Sequence, residues 1–206
     1  MSLSSFAIAA GDFSNADLIL ASASPRRAEL LQQIGVQYAV AAENIDESHC
    51  ASESAYDYVQ RLALEKAQAG YRRHNSGLPV LGADTICLFN GGIFGKPVDC
   101  DEAISMLRSL SANTHQVLSA VAIVNEFRAE LAISKSLVTF RTINSDECLK
   151  YWHTGESKDK AGAYAIQGYG ATFVAHLEGS YSGVMGLPLF ETQQLLGKFN
   201  VPIWQS

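Results

Sequence analysis

The sequence predicts an α/β protein built on a mixed sheet. Short apolar runs alternate with segments of helical periodicity between residues 18 and 199, which argues for helices packed on strands. Hairpin signals punctuate that alternation, so the sheet is not purely parallel. The 206 residues are 48% hydrophobic and 17% charged, with no linker, internal repeat or low-complexity stretch. That composition suits one sizeable core, or one core split by a cleft into two lobes.

Residues 18–21 (LILA) read as a short buried strand. Ser24 then serves as N-cap with Pro25 at the first helical position; Leu30, Leu31 and Ile34 form one apolar face, and Gly35 stops the helix. Residues 36–42 suit a second strand, and 54–73 a long helix with Tyr56, Val59, Ala63 and Ala67 on one face. The apolar run 79–89 is interrupted by Gly82-Ala83-Asp84-Thr85, and Asn90-Gly91 supplies a hairpin turn. A third helix spans 101–110 with Ala103, Ile104, Leu107 and Leu110 inward, followed by paired long strands over 115–125 and 129–141. A short helix over 145–152 is capped by Ser145, residues 171–177 suit a strand, and 188–199 a closing helix opened by proline.

A net charge of −6 and a pI near 5.3 argue against broad binding to a nucleic-acid backbone, which needs a basic stripe. A small anion is still open, because a few basic residues focused in a cleft outweigh a mildly acidic exterior. No window reaches the length of a membrane span. Cys50, Cys87, Cys100 and Cys148 are scattered without a C-x-x-C pair, which fits a reducing cytoplasm better than a disulfide or zinc framework. The start of the chain lacks a basic region and its apolar stretch is too short for a signal segment. Residues 1–16 are therefore expected to be a loose extension, and 17–206 a single domain.

Three places invite chemistry. In Ser22-Ala23-Ser24-Pro25-Arg26-Arg27 a helix N-terminus offers unpaired amides, two serines and two arginines. Cations there oppose the helix dipole unless an anion is present, so the turn is either a phosphate site or a capped helix with two solvated arginines. Asp84, a carboxylate within an apolar run, is either held structurally or placed to bind a metal or activate water. The acidic stretch 43–47 (ENIDE) offers carboxylates that could share magnesium, or a solvated loop. Lys66 on the long helix and Lys96 before Pro97 are phosphate contacts or surface lysines; the segment 91–97 is not a P-loop, its glycine spacing being one short and proline replacing Ser/Thr. In 159–171 (DKAGAYAIQGYGA) small residues let backbone approach something closely, with Lys160 and Gln167 as polar groups, or simply connect helix to strand.

Taken together these segments resemble the Maf family, the septum-formation-inhibitor-like nucleotide pyrophosphatases. The resemblance rests on five ordered motifs: 20–27 (LASASPRR), 82–85 (GADT), 95–97 (GKP), 159–168 (DKAGAYAIQG) and 178–188 (EGSYSGVMGLP). It implies an elongated mixed sheet with flanking helices and a deep cleft, similar to inosine-triphosphate pyrophosphatases. It also implies hydrolysis between the α- and β-phosphates of a small-molecule nucleotide, a divalent cation (Mg2+ or Mn2+) and often a homodimer; charge and window length already lead one to expect neither nucleic-acid nor membrane partners. Matched residue by residue, the catalytic carboxylate falls on Asp84, the acidic group helping to hold metal on Glu47, and phosphate contacts on Ser22, Arg27, Lys66, Lys96 and Lys160.

Members acting on dTTP and UTP carry Arg after the Pro, Thr after the catalytic Asp and Gln in the I-Q-G motif; here those are Arg26, Thr85 and Gln167. The 7-methyl-GTP branch has S-D-Q and an aromatic residue after the Pro, which this chain lacks. A carboxamide suits uracil, accepting from N3–H and donating to O4, whereas cytosine presents the opposite pattern. The expected reaction is attack of water, oriented or deprotonated by Asp84, on a phosphorus of the triphosphate. The alternatives are a broader or 7-methyl-GTP-type pyrophosphatase, and a nucleotide-binding regulator of cell division without turnover.

Overall fold

The computed structural model describes residues 7–8, 13–74 and 76–205. In chain order the first elements are β1 (Ala7–Ile8), β2 (Leu18–Leu20), α1 (Pro25–Gln33), β3 (Tyr38–Val40) and α2 (Ala55–His74). Next come β4 (Val80–Phe89), β5 (Gly92–Phe94), α3 (Cys100–Leu110), β6 (Thr114–Val124) and β7 (Ala129–Phe140). The chain finishes with α4 (Ser145–His153), 3-10 turns at Ala161–Ala163 and Tyr169–Phe173, β8 (Val174–Glu178), α5 (Tyr181–Met185) and α6 (Leu189–Lys198). Hydrogen bonds order the strands β1-β3-β2-β4-β6-β7-β8, with β5 on β4, and both parallel and antiparallel pairs occur, as the sequence led one to expect. Much of the extension expected over residues 1–16 lies outside the described residues, but Ala7–Ile8 pairs parallel with β3.

By contacts the chain divides into two compact units, Met1–Asp84 with Ser119–Ile133 and Gly186–Ser206, and Thr85–Leu118 with Ser134–Met185. In the first, β2 is apolar and buried at every position, the pattern of a parallel strand covered on both faces. Ile19 lies opposite Val80 and Leu20 opposite Leu81 on β4. α2 buries Val59, Leu62, Ala63, Lys66, Ala67 and Gly70. Tyr56, expected on that face, is 38% exposed, because it sits in the first turn ahead of the buried stripe. β4 runs unbroken through Gly82-Ala83-Asp84-Thr85, where the sequence suggested an interruption. A Cβ at Gly82 would collide with the carbonyl of Ala63, so the small residues are what lets the α2 backbone lie directly on the strand.

In the second unit Asn90 and Gly91 adopt φ values of 49° and 77°, the left-handed pair that a tight β4–β5 hairpin requires. Asp99 caps α3 by accepting from the Glu102 amide. α4 is capped by Asn144 rather than by Ser145, because Asn144 and Glu147 form a reciprocal capping box, whereas the residue three positions after Ser145 is Cys148, which cannot complete one. His115, Phe140, Tyr164, Phe173 and Tyr151 form a chain of edge-to-face and tilted ring contacts. His115 Nε2 lies 2.8 Å from the Tyr164 hydroxyl, and burial pushes the imidazole down to about 4. No described helix is long and apolar enough to cross a membrane.

Candidate active site

The segment between β2 and α1 is organised around Ser22. Ser24 occupies the N-cap position of α1 but makes no side-chain cap bond. Instead the Ser22 hydroxyl accepts from the Ser24 amide at 3.2 Å and from Arg27 Nη1 at 3.0 Å. Arg27 Nε donates to the Gly186 carbonyl at 2.8 Å, so the guanidinium is fixed at both ends. Burial lowers the Arg27 pKa from its ordinary value, opposed by the negative charge of Asp84. The first turn of α1 contains no acidic residue, so its amide dipoles and the two arginines make this end of the helix positive.

Asp84 points from β4 toward α2, where the Gly82 contact lets a lysine on the helix reach it. Lys66 Nζ donates to Asp84 Oδ1 at 2.7 Å and lies 2.6 Å from Glu47 Oε1. The lysine and Asp84 are buried, at 8% and 9% exposure, whereas the Glu47 side chain is half exposed. One buried ammonium thus faces two carboxylates, and the group carries a net negative charge.

The acidic stretch 43–47 divides by role. Glu43 pairs with Arg73 and His74 at the end of α2, and Asp46 accepts the Ser48 amide. Only Glu47 of this stretch meets Lys66. The loop is held by Tyr58, whose hydroxyl donates to the Glu47 carbonyl at 2.8 Å, and by Arg61, which donates to Glu53 and to the Ser48 carbonyl. The Arg61 guanidinium holds Glu53 down to about 2. Burial, with the charges of Asp84 and Glu47 added, raises the Tyr58 pKa. Tyr58, Leu62 and Lys66 follow the four-residue helical spacing, a signal by which Tyr58 could have been found in the sequence.

The first unit therefore assembles Ser22, Arg27, Glu47, Lys66 and Asp84. Arg26 is half-buried in the first turn of α1. Lys96, Lys160 and Gln167 belong to the second unit. Lys96 is exposed, next to Gly95, whose carbonyl accepts from the Gly162 amide at 3.1 Å. Lys160 is half-buried with its Nζ donating to the Lys158 carbonyl at 3.1 Å, and Gln167 is exposed. Thr85 follows Asp84 on β4 and so presents its side chain to the opposite face of the strand.

Two carboxylates that both reach one ammonium nitrogen can also both reach one hard cation, and oxygen donors suit magnesium or manganese. Among the described residues no group of three or more His, Cys, Asp and Glu side chains gathers, so Asp84 and Glu47 would hold such an ion together with oxygens of a ligand. The donor set fits a cation of this kind.

Comparisons with known proteins identify the relatives of this chain. Residues 17–199 match the family described as Maf-like protein. The dTTP/UTP pyrophosphatase of Saccharophagus degradans is 50% identical over 93% of this chain and 93% of its own. That of Alkalilimnicola ehrlichii is 51% identical, covering 89% of this chain and 93% of its own. A solved structure of a nucleoside-triphosphatase / dITP/XTP pyrophosphatase from Mycobacterium abscessus aligns at 15% identity and a TM-score of 0.46, over 88% of this chain and 92% of that one. With a family match across most of its length and relatives near 50% identity, the chain belongs to the Maf-like protein family.

Proposed function

We propose that this chain hydrolyses dTTP and UTP to the monophosphate and pyrophosphate in the cytoplasm, using a divalent cation. The observation that carries the reading is the Lys66 ammonium held between Asp84 and Glu47, with Arg27 fixed over Ser22 within the same unit. The names of the relatives supply the nucleotide, and Arg26, Thr85 and Gln167 match the residues expected of that branch.

The amides at the start of α1, Ser22 and Arg27 bind triphosphate oxygens, the guanidinium presenting a planar fork already set by Gly186. Lys96 and Lys160 add positive charge along the phosphates. Asp84 has room for a further partner, since a carboxylate has roughly four acceptor sites and Lys66 takes one. There it orients a water and accepts its proton as the water oxygen bonds to phosphorus. The bridging P–O bond between the α- and β-phosphates breaks, and its electron pair leaves on pyrophosphate. Lys66, freed to exchange one carboxylate contact for a phosphate oxygen, holds the leaving charge. A bound divalent cation, held by Asp84 and Glu47, would supply further charge neutralisation. Gln167 reads the pyrimidine edge, with Arg26 and Thr85 bearing on the same selectivity.

Pyrophosphate release measured over dTTP, UTP, CTP, 7-methyl-GTP and ITP, with Mg2+ or Mn2+, tests this. The highest kcat/KM should fall on dTTP and UTP. Release of orthophosphate instead, or no turnover with any nucleotide, would overturn it.

A further inference from the structure

We propose that Glu156 is a positioning residue for base selectivity, acting by holding the loop that carries Gln167; this rests on Gln167 being the base-reading residue. Gln167 sits between the two 3-10 turns, in a stretch with no ladder or helix to fix its backbone. Its neighbours are held instead by one carboxylate. Glu156 Oε1 accepts from the Tyr169 amide at 2.9 Å, and Oε2 accepts from the Gly170 amide at 2.8 Å. Oε2 also accepts from the Tyr151 hydroxyl at 2.8 Å. That hydroxyl in turn accepts from the Ala165 amide at 3.0 Å. The bonds therefore reach backbone on both sides of Gln167, at 165 and at 169–170.

Gly168 completes the arrangement. Its φ of +97° is one that L side chains rarely adopt, and a Cβ there would collide with Glu156 Oε1. The loop is thus shaped to wrap a carboxylate closely. Gln167 itself stays exposed while Ala165 and Ile166 beside it are buried, so the residue that meets a ligand projects from an anchored base. A carboxamide reads a pyrimidine edge only if it is presented to the base at one position and angle, and the backbone below it sets both.

Glu156→Gln tests the inference well, since it keeps the size but puts an NH2 donor against an amide N–H or a hydroxyl. The kcat and KM for dTTP, UTP and CTP would be measured for the wild type, Glu156→Gln, Gln167→Ala and the double variant. The dTTP-to-CTP ratio of efficiencies should fall about tenfold in Glu156→Gln, chiefly through KM, with kcat on dTTP within about threefold. In the Gln167→Ala background, Glu156→Gln should change the ratio no further. An equal loss on every nucleotide, or losses in the ratio that multiply independently, would overturn the proposal. If Gln167→Ala shifts the ratio and Glu156→Gln does not, the positioning role alone is wrong. If Gln167→Ala leaves the ratio unchanged, the reading of Gln167 fails and the proposal with it. Should Glu156→Gln fail to fold, Tyr151→Phe removes the hydroxyl bonds while keeping the ring against Phe173, 4.9 Å away. It should shift the ratio in the same direction by a smaller factor, and no shift would count against the proposal.

Discussion

In the first unit one buried ammonium is shared by two carboxylates, whereas in the second one carboxylate is shared by two backbone amides and a phenol. The partners of Lys66 are side chains that a triphosphate or a cation can replace, so the group can exchange charge during a reaction. The partners of Glu156 are mainly backbone, which a small ligand does not displace. The contrast separates two tasks: charge handling around Asp84, and shape-holding around Gln167. Perturbing the first should slow every nucleotide alike, and perturbing the second should redistribute rates among nucleotides.

The largest effect is expected from removing the cation. Excess chelator should abolish pyrophosphate release from every nucleotide, and added Mg2+ or Mn2+ should restore it, because Asp84 and Glu47 alone add negative charge to an already anionic substrate. Undiminished turnover in chelator would remove any cation from the role proposed for the first unit.

Next is Asp84→Asn, which loses the charge and basicity at the centre of the first unit. Turnover should fall by about two to four orders of magnitude with the ratios among nucleotides unchanged. From burial alone one would expect the neutral variant to be as stable as the parent or more so. The Lys66 contact argues otherwise: the substitution leaves a buried ammonium with one counter-charge fewer, so thermal stability should drop. A variant with near-normal turnover on dTTP would make Asp84 structural.

Which of these features were legible in the sequence follows from how far apart their parts lie. The α1 start at Ser24-Pro25 and the Asn90-Gly91 hairpin are local signals, and both stand where the sequence puts them. Asn144 and Ser145 are both capping residues, and the choice between them turns on which one has a glutamate three positions on. The short α5 and the 3-10 turns hold too few residues to show a period. Lys66 and Asp84 were suspect individually, but their pairing depends on α2 lying against Gly82, which no spacing reveals. Glu47 emerged from the acidic stretch only by resemblance, since Glu43 and Asp46 look equivalent until Arg73, His74 and Ser48 engage them. Glu156 was missed because its partners are backbone amides, which leave no mark in composition.

Gln167→Glu sharpens the contrast from the side of the second unit. It removes the donor to O4 and sets a carboxylate near a carbonyl oxygen, at a cost of about 1–3 kcal/mol. Efficiency on dTTP and UTP should drop about ten- to a hundredfold, while relative activity on CTP rises and cation dependence persists. A uniform loss over a nucleotide panel would move Gln167 to the phosphate side and erase the division of tasks.

The smallest effect concerns acid. The first unit tolerates buried charge because Lys66 and Asp84 are paired, but the aromatic chain of the second unit offers His115 only the Tyr164 hydroxyl. Its Nδ1 has no hydrogen-bond partner among the described residues, and burial holds the ring near 4 against 6.5 in an open chain. Because the folded value is the lower one, the unfolded chain takes up the proton first as pH falls. Stability is therefore whole above pH 6.5 and declines between 6.5 and about 4. At pH 5 the loss is on the order of 2 kcal/mol, or about 4–8 °C in melting temperature for a protein of this size. His115→Gln retains a side chain able to bond Tyr164 and cannot titrate, so its melting temperature should fall less than the parent's between pH 7.5 and pH 5. Parallel declines would mean that His115 is protonated within the fold at no special cost, and that the second unit tolerates buried charge as readily as the first.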